Sequence, residues 1–589
     1  MVKVLIDIDF EIDDVELEQI DDITKLLKLP ELTEAEKNIV DPIVAPTSGL
    51  RIQICDIDNT GSKLKYILSR RKLILFLRVF KAISIKVKRM DENRKLKVLI
   101  VTDDRPSADI LLKYSSQIFT QEGYEIYYQK DDNGKSRVSS PYGAASVALY
   151  EDIDLVIVLT ASHNDLSWNG IKFYIDYPIP ISGDIFKDIS SIALELTEIK
   201  LKTNFTPIII DAIQKNNDYI LDILSEIIEI KSLKNANLVI WPYLGKGEGI
   251  IKLFKQLGAN VHLVDENINP PNPIKVVKEE KLKKIMSDTK SNLALLLDAD
   301  RDRIALYVKQ SGSFLYYIPN EIYSAMHNIL AKDFDKKVIN VRTIPSDPRG
   351  DHTSFLNILT GVGYKHIGII LYFLFNTNVD QSKIDSAILY MKGDNDQLIQ
   401  IKEASPLRNQ IIGEMEKNNL EDASFIVVMW EESGGHTLNI LHVSKDQGLN
   451  EYHFQIDFPL IADKYPVPAL VLITELICRG YEISKSIDWT IKGINQTIEA
   501  NDEEKVRIMQ NFKINDGKTI EINNKKYQIT ALNDNSGKID IYQIKSKDST
   551  LYFRPSGTGP EVRFYIFADK ETYLKEIEHV KKYVKEEYA

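Results

Sequence analysis

A serine follows directly after an apolar run in the segment TASHN (160–164). The run LVIVL (155–159) before it is typical of a buried strand. Ligands of open α/β sheets bind beyond the strand ends, so the hydroxyl of Ser162 stands where a nucleophile is expected. Its small neighbours leave it room, and Lys172 lies just behind it in NGIK (169–172). A polar loop after a strand, without chemistry, is the alternative interpretation.

Three aspartates alternate along LDADRDR (297–303), again directly after an apolar run. Asp298, Asp300 and Asp302 can converge on one hard cation, and Mg²⁺ takes carboxylate oxygens while it keeps positions for water and phosphate. Three unpaired acids this close repel one another, which makes a cation the natural partner. In the alternative interpretation the segment is a solvated acidic turn that Arg301 and Arg303 neutralise.

Two further segments could recognise a phosphorylated sugar. RPSGTGP (554–560), followed by Arg563, combines arginines, hydroxyls and glycines. This composition suits a phosphate, because the planar guanidinium matches phosphate oxygens bidentately and glycines free backbone N–H groups. EESGGH (431–436) offers carboxylates that could hydrogen-bond vicinal sugar hydroxyls. An ordinary turn is the alternative interpretation of each segment.

Apolar runs alternate with helical patterns along most of the chain, which is typical of the α/β class. KVLIVT (97–102) and LVIVL are predicted strands, and NLVIW (237–241) is the strand that leads into a second α/β unit. A third unit is predicted at about 312–455, and the last hundred residues combine short strands with a C-terminal helix. The acidic first forty residues are predicted to form a surface segment that is helical around 22–29.

Composition restricts the class of protein. A chain of 589 residues should hold several domains, because single cores rarely grow past about 250–300 residues. A net charge of −12 argues against a nucleic-acid binder, and no apolar run reaches the ~18 residues of a membrane helix. Cys55 and Cys478 are too few for a disulfide framework, and the N-terminus lacks a signal-peptide pattern. We therefore expect a cytoplasmic protein with neither nucleic-acid nor membrane partners.

Together and in this order, the four segments resemble the motifs of the α-D-phosphohexomutase superfamily of phosphoglucomutases and phosphomannomutases. That family carries a TASHN serine loop, a DxDxDR metal loop, a GExSG sugar loop and an RxSGT phosphate loop. TSGLR (47–51) also resembles the family's TSGxR, DDRPS (103–107) its DTRPS, and GYK (363–365) the glycine-aromatic-lysine of its third domain. The resemblance covers about residues 41–589.

The resemblance implies three similar α/β domains with mixed sheets and a smaller α+β C-terminal domain around a central active-site cleft. The predicted divisions are an acidic N-terminal extension (1–40), domain I with the serine loop (41–203), domain II with the metal loop (204–311), domain III with the sugar loop (312–465), and a linker helix with domain IV and the phosphate loop (466–589).

The resemblance further implies an isomerase that interconverts hexose 1-phosphate and hexose 6-phosphate through a phosphoserine enzyme, with Mg²⁺ as cofactor and hexose 1,6-bisphosphate as intermediate and activator. We favour Lys172 for proton transfer and Arg51 for electrostatics, because an arginine rarely acts as a base at its normal pKa. The implied site residues are Ser162, His163, Arg51 and Lys172 for catalysis; Ser162, Asp298, Asp300 and Asp302 for the metal; Arg303, Gly363, Tyr364, Glu431 and Ser433 for the sugar; and Arg554, Ser556, Gly557, Thr558 and Arg563 for phosphate.

Several residues depart from the family pattern. Asp165 stands where the family usually has proline, and Arg301 occupies a small-residue position inside the metal loop, where it could pair with an aspartate or reach phosphate. All ligand-bearing residues are present, so activity is expected, and the unusual sugar loop bears on substrate identity more than on chemistry. The remaining departures are Ile52 for glycine, Trp430 for glycine, His436 one position later than usual, and Gly559 for glutamate.

Glucose phosphate is the favoured substrate and mannose phosphate is the next candidate; a phosphopentomutase or a phosphoglucosamine mutase of the same superfamily is the alternative. A different enzyme class is also considered, because DIDNT (56–60) fits the nucleophile motif of haloacid-dehalogenase-type phosphatases, with Asp56 as the nucleophile. The last alternative is a non-catalytic protein that binds sugar phosphate. The sequence leaves the oligomeric state open.

Overall fold

Four large sheets follow one another along the chain in the computed structural model. The structure describes residues 8–41, 50–60, 64–91, 94–179, 181, 184–375, 389–392, 398–401, 405–446, 448, 451–533, 539–555 and 561–589. The first elements are β1 Ile8–Ile12, β2 Glu18–Gln19, β3 Thr24–Lys28, α1 Glu34–Val40, β4 Arg51–Gln53, β5 Cys55–Asp58, β6 Leu64–Leu68, α2 Arg70–Met90, β7 Lys97–Thr102, α3 Ala108–Gln121, β8 Glu125–Gln129, α4 Ser140–Leu149, β9 Leu155–Leu159, β10 Trp168–Ile175, α5 Asp184–Glu195 and β11 Glu198–Lys202.

The first large sheet has the strand order β12-β8-β7-β9-β10-β4, in which β12 (Ile208–Ile210) lies just beyond the predicted boundary at 203. Strands β12, β8, β7 and β9 are parallel, and β10 runs antiparallel to both β9 and β4. All five residues of β9 are buried, as expected for a parallel strand that is covered on both faces. The domain boundaries themselves stay a prediction.

The second and third sheets repeat this pattern in the orders β14-β13-β15-β16-β17 and β19-β18-β22-β23-β24. In each, three parallel strands are followed by two antiparallel ones. Their elements are α6 Ala212–Ser225, β13 Asn237–Trp241, α7 Glu248–Gln256, β14 Asn260–Leu263, α8 Glu279–Asp288, β15 Leu293–Leu297, β16 Ile304–Gln310, β17 Ser313–Tyr317, α9 Pro319–Asp333, β18 Lys337–Thr343, a 3₁₀ helix Pro348–Thr353, β19 Leu356–Thr360, α10 Tyr364–Phe375, β20 Leu389–Lys392, β21 Leu398–Ile401, α11 Ser405–Lys417, β22 Asp422–Trp430, β23 His436–Asp446 and β24 Glu451–Gln455.

The fourth sheet is antiparallel, in the order β25-β30-β29-β28-β27-β26. Three mixed α/β sheets and one antiparallel sheet with two helices confirm the predicted fold class. The last elements are α12 Val467–Cys478, α13 Ile483–Ser486, β25 Ile491–Glu499, α14 Asp502–Ile514, β26 Thr519–Ile522, β27 Lys525–Asn533, β28 Ile539–Lys545, β29 Thr550–Pro555, β30 Glu561–Asp569, α15 Tyr573–Tyr583 and a π-helical end Val584–Tyr588.

One continuous hydrophobic core joins the first three sheets. It runs from Tyr142 of α4 through Ile240 of β13 to Trp430 of β22, and α12 packs into it with residues such as Leu472. The fourth sheet has a separate core around Phe512. The edges of the first three sheets that carry the polar loops are therefore held in fixed relation by shared packing.

The N-terminal segment differs from its predicted helix at 22–29. Residues Thr24–Lys28 form β3, which pairs antiparallel with β11 at Glu198–Lys202, and β1 pairs parallel with β6. The helix prediction was wrong because Lys and Leu favour helices locally, whereas pairing with a strand far along the chain decides the outcome. The helix of this segment is α1, which begins after a capping box formed by Thr33 and Glu36.

Within the described residues, no helix has both the length and the apolar character that crossing a membrane requires.

Candidate active site

The serine, metal and sugar loops occupy the same position in three sheets. Each follows the parallel strand at the inner boundary of its sheet, β9, β15 or β22, and leads into the antiparallel strand beside it. The carboxyl ends of parallel strands are where α/β sheets bind ligands. Three units of similar topology therefore contribute one loop each to a common site, although the loops are more than a hundred residues apart in sequence.

Ser162 lies in the loop after β9 with a left-handed backbone, at φ +52°. A non-glycine residue in this region is uncommon and is often found where a turn presents a functional side chain. The backbone N–H of Ser162 donates to Thr160 Oγ1 at 2.9 Å, and the side chain is buried. His163 Nδ1 lies 3.3 Å from Ser162 Oγ, which places the predicted histidine beside the nucleophile.

Arg105 holds the serine loop in place. Its fully buried guanidinium donates to the carbonyl of Ser162, to that of Asn164 at 2.8 Å and to that of Asp165 at 2.7 Å. Asp103 accepts from the Arg105 side chain at 3.1 Å. The sequence assigns no role to the DDRPS motif. In the structure its arginine, Arg105, fixes the conformation of the serine loop.

The three aspartates of the metal loop are buried together. One carboxylate oxygen from each of Asp298, Asp300 and Asp302 lies within 4.8 Å of the other two. Among the described residues, Asp300 Oδ1 and Asp302 Oδ1 are buried without a hydrogen-bond partner. Buried carboxylate oxygens are normally bonded, so this pair of unsatisfied atoms fits the hard oxygen ligands that Mg²⁺ prefers.

The carboxylates strongly perturb one another. Burial, together with the charges of Asp302 and Asp300, raises the pKa of Asp298 well above its usual value. Burial also raises the pKa of Asp300, but the charges of Lys172 and Arg51 outweigh it and lower this pKa to about 2. The negative charge of Asp298 is therefore unfavourable in this cluster. A bound cation would stabilise that charge, as expected of a metal site.

Lys172 contacts the metal loop from the first sheet, and the charge of Arg51 acts on it from the same sheet. Lys172 Nζ donates to Asp300 Oδ2 at 2.9 Å and lies 3.5 Å from Asp302 Oδ2. Burial lowers the pKa of Lys172, but the charges of Asp300 and Asp302 outweigh it and raise it. Arg51 lies in β4 directly opposite Gly170, where a β-carbon would approach the Leu50 carbonyl oxygen to 2.5 Å. Glycine at 170 therefore lets the strand of Arg51 approach the serine loop closely.

Arg303 joins the serine loop to the metal loop. Its Nη1 donates to Ser162 Oγ at 3.0 Å and lies 3.5 Å from Asp298 Oδ2, and it also contacts His163 Nδ1. Burial lowers the pKa of Arg303 to about 10, so the guanidinium stays charged at neutral pH. The residue predicted to contact the sugar thus lies between Ser162 and Asp298, the candidate nucleophile and a candidate metal ligand, where it can bind an anionic group.

Lys464 connects the sugar loop to the metal loop and was missed from sequence. Its Nζ lies 2.6 Å from Glu431 Oε1 and 4.0 Å from Asp302 Oδ2. Glu431 also accepts from Ser433 Oγ at 2.5 Å. The predicted sugar residues Glu431 and Ser433 are therefore adjacent and oriented by a lysine. The only sequence signal for Lys464 is a polar pair, Asp463-Lys464, shortly before the apolar helix α12.

The tyrosine of the glycine-aromatic pair is buried inside the third unit. The Tyr364 hydroxyl donates to the Met429 carbonyl at 3.0 Å and also contacts Thr437, and the side chain is buried. Its hydroxyl is therefore already bonded inside the third sheet, although its ring centroid lies 5.9 Å from Lys464 Nζ. Gly363 adopts φ +124°, and its contact with a sugar stays a prediction.

His436 and Trp430, two departures in the sugar loop, belong to the core. His436 Nε2 lies 3.2 Å from His327 Nε2 in a fully buried pair, and Trp430 Nε1 donates to Asn340 Oδ1 at 2.8 Å. Burial lowers the pKa of His327 to about 3, and burial with the neighbouring His327 lowers the pKa of His436. Both rings are therefore neutral at physiological pH.

The predicted phosphate loop is described at its two ends. Arg554 of β29 and Arg563 of β30 lie directly opposite each other in the antiparallel ladder. Like charges at facing positions repel, so an anion between them would be stabilised. Arg554 Nε donates to Tyr565 Oη at 3.3 Å, and Arg563 Nε to Glu561 Oε1 at 2.9 Å. The predictions for Ser556, Gly557, Thr558 and Gly559 lie outside the described residues, as does the TSG of TSGLR (47–49).

Asp165, the departure from proline, ties the serine loop to two other segments. Its Oδ1 accepts from the Tyr66 hydroxyl at 2.6 Å and from the Ser167 N–H at 2.8 Å, and its Oδ2 accepts from Asn269 Nδ2 at 2.8 Å. Asn269 Oδ1 also accepts from the Leu166 N–H at 3.0 Å. A side chain that accepts three hydrogen bonds thus replaces the rigidity that proline would supply.

Asp56, the nucleophile of the phosphatase alternative, is an exposed residue of β5. Its Oδ1 lies 2.6 Å from Lys72 Nζ, and its side chain is 63% exposed. Strand β5 belongs to a small three-stranded sheet with β1 and β6, not to one of the three mixed α/β sheets. A surface ion pair at this place lacks the enclosed site that an aspartyl-phosphate mechanism needs, which disfavours this alternative.

Comparisons with known proteins agree with this geometry. Residues 74–200 match the family described as phosphoglucomutase/phosphomannomutase, alpha/beta/alpha domain I. A phosphoglucosamine mutase of Caldanaerobacter subterraneus subsp. tengcongensis is 27% identical over 226 residues, which is 37% of this chain and 48% of the relative. An Escherichia coli phosphomannomutase is 27% identical over 219 residues, 33% of this chain and 44% of the relative. The matched region spans about half the length of these curated relatives.

Solved structures of similar fold extend over almost the whole chain. A putative phosphomannomutase from Thermus thermophilus has a TM-score of 0.58 at 15% identity, covering 92% of this chain and 99% of that one. The Paramecium phosphoprotein pp63/parafusin, a phosphoglucomutase in its open form, has a TM-score of 0.59 at 14% identity. The match covers 96% of this chain and 97% of that one. At this identity the likeness shows the fold.

Proposed function

The family match, the relatives and the shared fold support membership of the α-D-phosphohexomutase superfamily, and on this premise we propose that the protein is a phosphohexomutase that uses Ser162 as its phosphoryl carrier. One observation carries the proposal. Arg303 Nη1 lies 3.0 Å from Ser162 Oγ and 3.5 Å from Asp298 Oδ2, so a buried serine hydroxyl, a charged guanidinium and three clustered carboxylates meet at one point.

In the first half-reaction, the free hydroxyl oxygen of the sugar phosphate forms a bond to the phosphorus carried by Ser162. The bond from phosphorus to Ser162 Oγ breaks, and the proton that the sugar hydroxyl loses is balanced by one that Ser162 Oγ gains. Asp298, Asp300 and Asp302 would hold a Mg²⁺ ion, which neutralises charge on the phosphoryl oxygens when it is bound. Arg303 stabilises the charge on Ser162 Oγ as it leaves, and Arg105 keeps the loop in the required conformation.

Lys172 and Arg51 share the remaining roles. Lys172 Nζ is held beside Asp300 and next to Ser140 Oγ at 2.9 Å, a position from which it can exchange a proton within the site. Arg51 adds its guanidinium to the positive potential along β4. Because the effect of burial on its pKa is outweighed by the charges of Asp300 and Asp302, which raise it, Lys172 is protonated at neutral pH. It therefore remains our candidate for proton transfer as a proton donor, and Arg51 remains our candidate for charge stabilisation.

The sugar and the second phosphate bind on the third and fourth units. Glu431 and Ser433, oriented by Lys464, would accept and donate hydrogen bonds to sugar hydroxyls. Arg554 and Arg563 would hold the phosphate that does not react. The resulting 1,6-bisphosphate turns end for end, and its other phosphoryl group returns to Ser162, so the enzyme is regenerated with no net consumption of phosphate.

Glucose 1-phosphate is the favoured substrate, because the sequence of the sugar loop resembles that of glucose-type enzymes. Glucosamine 1-phosphate is the second candidate, because relatives that match at 27% identity are named phosphoglucosamine mutases. Mannose phosphate follows, because the E. coli relative is named a phosphomannomutase. Glucose and mannose phosphates differ only at the 2-hydroxyl, so kinetics have to separate them.

Steady-state kinetics on the 1-phosphates of glucose, glucosamine, mannose and ribose, with Mg²⁺ and the matching bisphosphate, test this proposal. We expect conversion of at least one hexose phosphate and the highest kcat/KM for glucose or glucosamine. The phospho-enzyme should resist hydroxylamine, because a phosphoserine is stable to it and an aspartyl-phosphate is not. Binding of sugar phosphate with no turnover of any substrate would instead support the non-catalytic alternative.

A further inference from the structure

Arg301 lies between two metal-loop aspartates, yet its side chain points away from their carboxylates. Its Nη1 donates to the Ala299 carbonyl at 2.6 Å, and its Nη2 donates to Asp104 Oδ2 at 2.8 Å and to the Leu244 carbonyl at 2.9 Å. The side chain is 4% exposed. One guanidinium therefore joins the loops that follow β15, β7 and β13, of which β7 belongs to the first sheet and the other two to the second.

The backbone at Arg301 is left-handed, with φ +61°. An arginine in this conformation is less favourable than a glycine, because its β-carbon is crowded by the backbone. The side chain must offset this strain through its contacts. Two charge-assisted hydrogen bonds to carbonyls and one to a carboxylate, all largely buried, are strong enough to do so.

A glycine makes room for the partner of Arg301. A β-carbon on Gly245 would lie 1.9 Å from Asp104 Oδ2, and Gly245 itself has φ +66°. The other oxygen of Asp104 lies 3.8 Å from Arg137 Nε. Asp104 is thus confined between two arginines and a residue without a side chain, with its Oδ2 directed at Arg301.

Both members of this pair depart from the motifs of the superfamily. Asp104 stands where DTRPS has threonine, and Arg301 stands in a position that usually holds a small residue. The two unusual residues contact each other across two units of the fold. Arg301 is buried and Asp104 is partly exposed. A charge introduced alone at position 301 would be destabilising, whereas Asp104 compensates it.

We infer that Arg301 and Asp104 are a positioning pair that fixes the metal loop against the first unit before a metal ion binds. Asp300 and Asp302 flank Arg301 directly, and the three carboxylates repel one another when the ion is absent. By fixing the backbone between them, the pair keeps their oxygens converged and lowers the conformational entropy lost on metal binding. This inference rests on the proposed function, since it takes the aspartates as metal ligands.

The test measures Mn²⁺ binding to metal-free protein by electron paramagnetic resonance, together with amide hydrogen exchange of residues 298–303 in chelator. The variants are Arg301→Gly, Asp104→Thr, the double variant that combines them, and Gly245→Ala. Gly247→Ala is the matched control: it lies in the same loop at φ +61°, but its β-carbon would approach Pro242 Cβ only to 3.2 Å. It shares the backbone strain of Gly245→Ala and leaves Asp104 in place.

We expect Arg301→Gly, Asp104→Thr and Gly245→Ala each to raise the Mn²⁺ dissociation constant by about tenfold, the scale typical of groups that orient metal ligands, and to speed exchange of the loop amides. The double variant should have a Mn²⁺ dissociation constant no higher than that of either single variant, because both substitutions remove the same contact. Gly247→Ala should bind Mn²⁺ like the wild type.

If the wild type binds Mn²⁺ and both Arg301→Gly and Gly245→Ala bind it equally well with unchanged exchange, the positioning role is wrong while the proposed function stands. If the wild type itself binds no Mn²⁺, the metal site fails and the positioning pair with it. Should Arg301→Gly fail to fold, Asp104→Thr and Gly245→Ala decide the outcome by the same two measurements.

Discussion

Arg303 donates a hydrogen bond to Ser162 Oγ at 3.0 Å from a loop of the second unit. The guanidinium is largely buried and positively charged, and the hydroxyl belongs to a serine whose backbone is left-handed. A charged donor directed at a serine oxygen stabilises negative charge on that oxygen, as is needed when a phosphoryl group departs. The contact links two units, so the nucleophile and the metal loop act together.

Asp300→Asn should weaken the response to Mg²⁺. The change removes one of three ligand charges and also the partner of Lys172 at 2.9 Å. We expect the Mg²⁺ concentration for half-maximal activity to rise more than about tenfold, with a lower maximal rate. A Mg²⁺ titration measures this, with Asp288→Asn, an exposed aspartate at the end of α8, as control. Full activity of the wild type in excess chelator would eliminate the metal-loop interpretation.

Lys464→Met should impair substrate use by leaving Glu431 and Asp302 without their shared counter-charge. Loss of a hydrogen bond to a charged group costs about 1.5–3 kcal/mol, so kcat/KM should fall roughly tenfold to a hundredfold. Lys464→Arg should retain more activity than Lys464→Met, because it keeps the charge. The exposed Lys485, which pairs with Glu482, supplies the control Lys485→Met. Equal kcat/KM in Lys464→Met and this control would contradict the role.

Arg554→Ala should lower kcat/KM by a similar factor while phosphorylation of Ser162 and metal binding are preserved. In the proposed function Arg554 holds the phosphate that does not react, so its loss would misplace the attacking hydroxyl. The bisphosphate should also escape more often, which a measurement of free bisphosphate per turnover detects. Arg507→Ala, on the exposed face of α14, is the control. Normal kcat/KM with no added release would mean that this segment is a structural turn.

Acidification below pH 6.5 should destabilise the folded protein, because His327 and His436 are buried as neutral rings. Burial lowers the pKa of His327 to about 3 in the folded protein, whereas an unfolded histidine has a pKa of about 6.5. The unfolded state therefore binds more protons, and stability present above pH 6.5 is lost as the pH falls. Two such groups contribute roughly 3 kcal/mol of folding stability at pH 7.5 that is lost by pH 5.5, about 1.4 kcal/mol each.

Urea unfolding at these two pH values measures the effect. The double variant His327→Gln/His436→Gln should show a smaller pH dependence than the wild type, whatever its absolute stability. An identical pH dependence in both proteins would show that the histidines are not neutral in the folded state.

The sequence predicts the strands that position the site. Strands β7 and β9 have the predicted bounds, and the apolar run before the three aspartates forms β15, Leu293–Leu297. Continuous apolar runs bounded by polar turns mark strands that are buried on both faces, so local pattern suffices for them. The aspartates and Ser162 follow these strands directly, which is why the loops were found.

Other features depend on contacts between distant segments. Lys464 reaches Glu431 and Asp302 from the segment before α12, and nothing in its neighbouring residues indicates this. The direction of the Arg301 side chain depends on Asp104, and the strand at Thr24–Lys28 depends on β11. Side-chain pairs across units are fixed by tertiary packing, which single-sequence patterns do not encode.

The state of Ser162 tests the central claim most directly. Purified wild-type protein is digested after incubation with the hexose 1,6-bisphosphate and mapped by mass spectrometry, alongside Ser162→Ala and the matched loop variant Ser167→Ala. We expect one phosphorylated peptide that contains Ser162 in the wild type and in Ser167→Ala, with turnover retained in both. In Ser162→Ala the phosphopeptide and mutase turnover should both disappear while the fold is unchanged. Near-normal turnover in Ser162→Ala, or a wild-type phosphate on another residue, would contradict the assignment of Ser162 as the phosphoryl carrier.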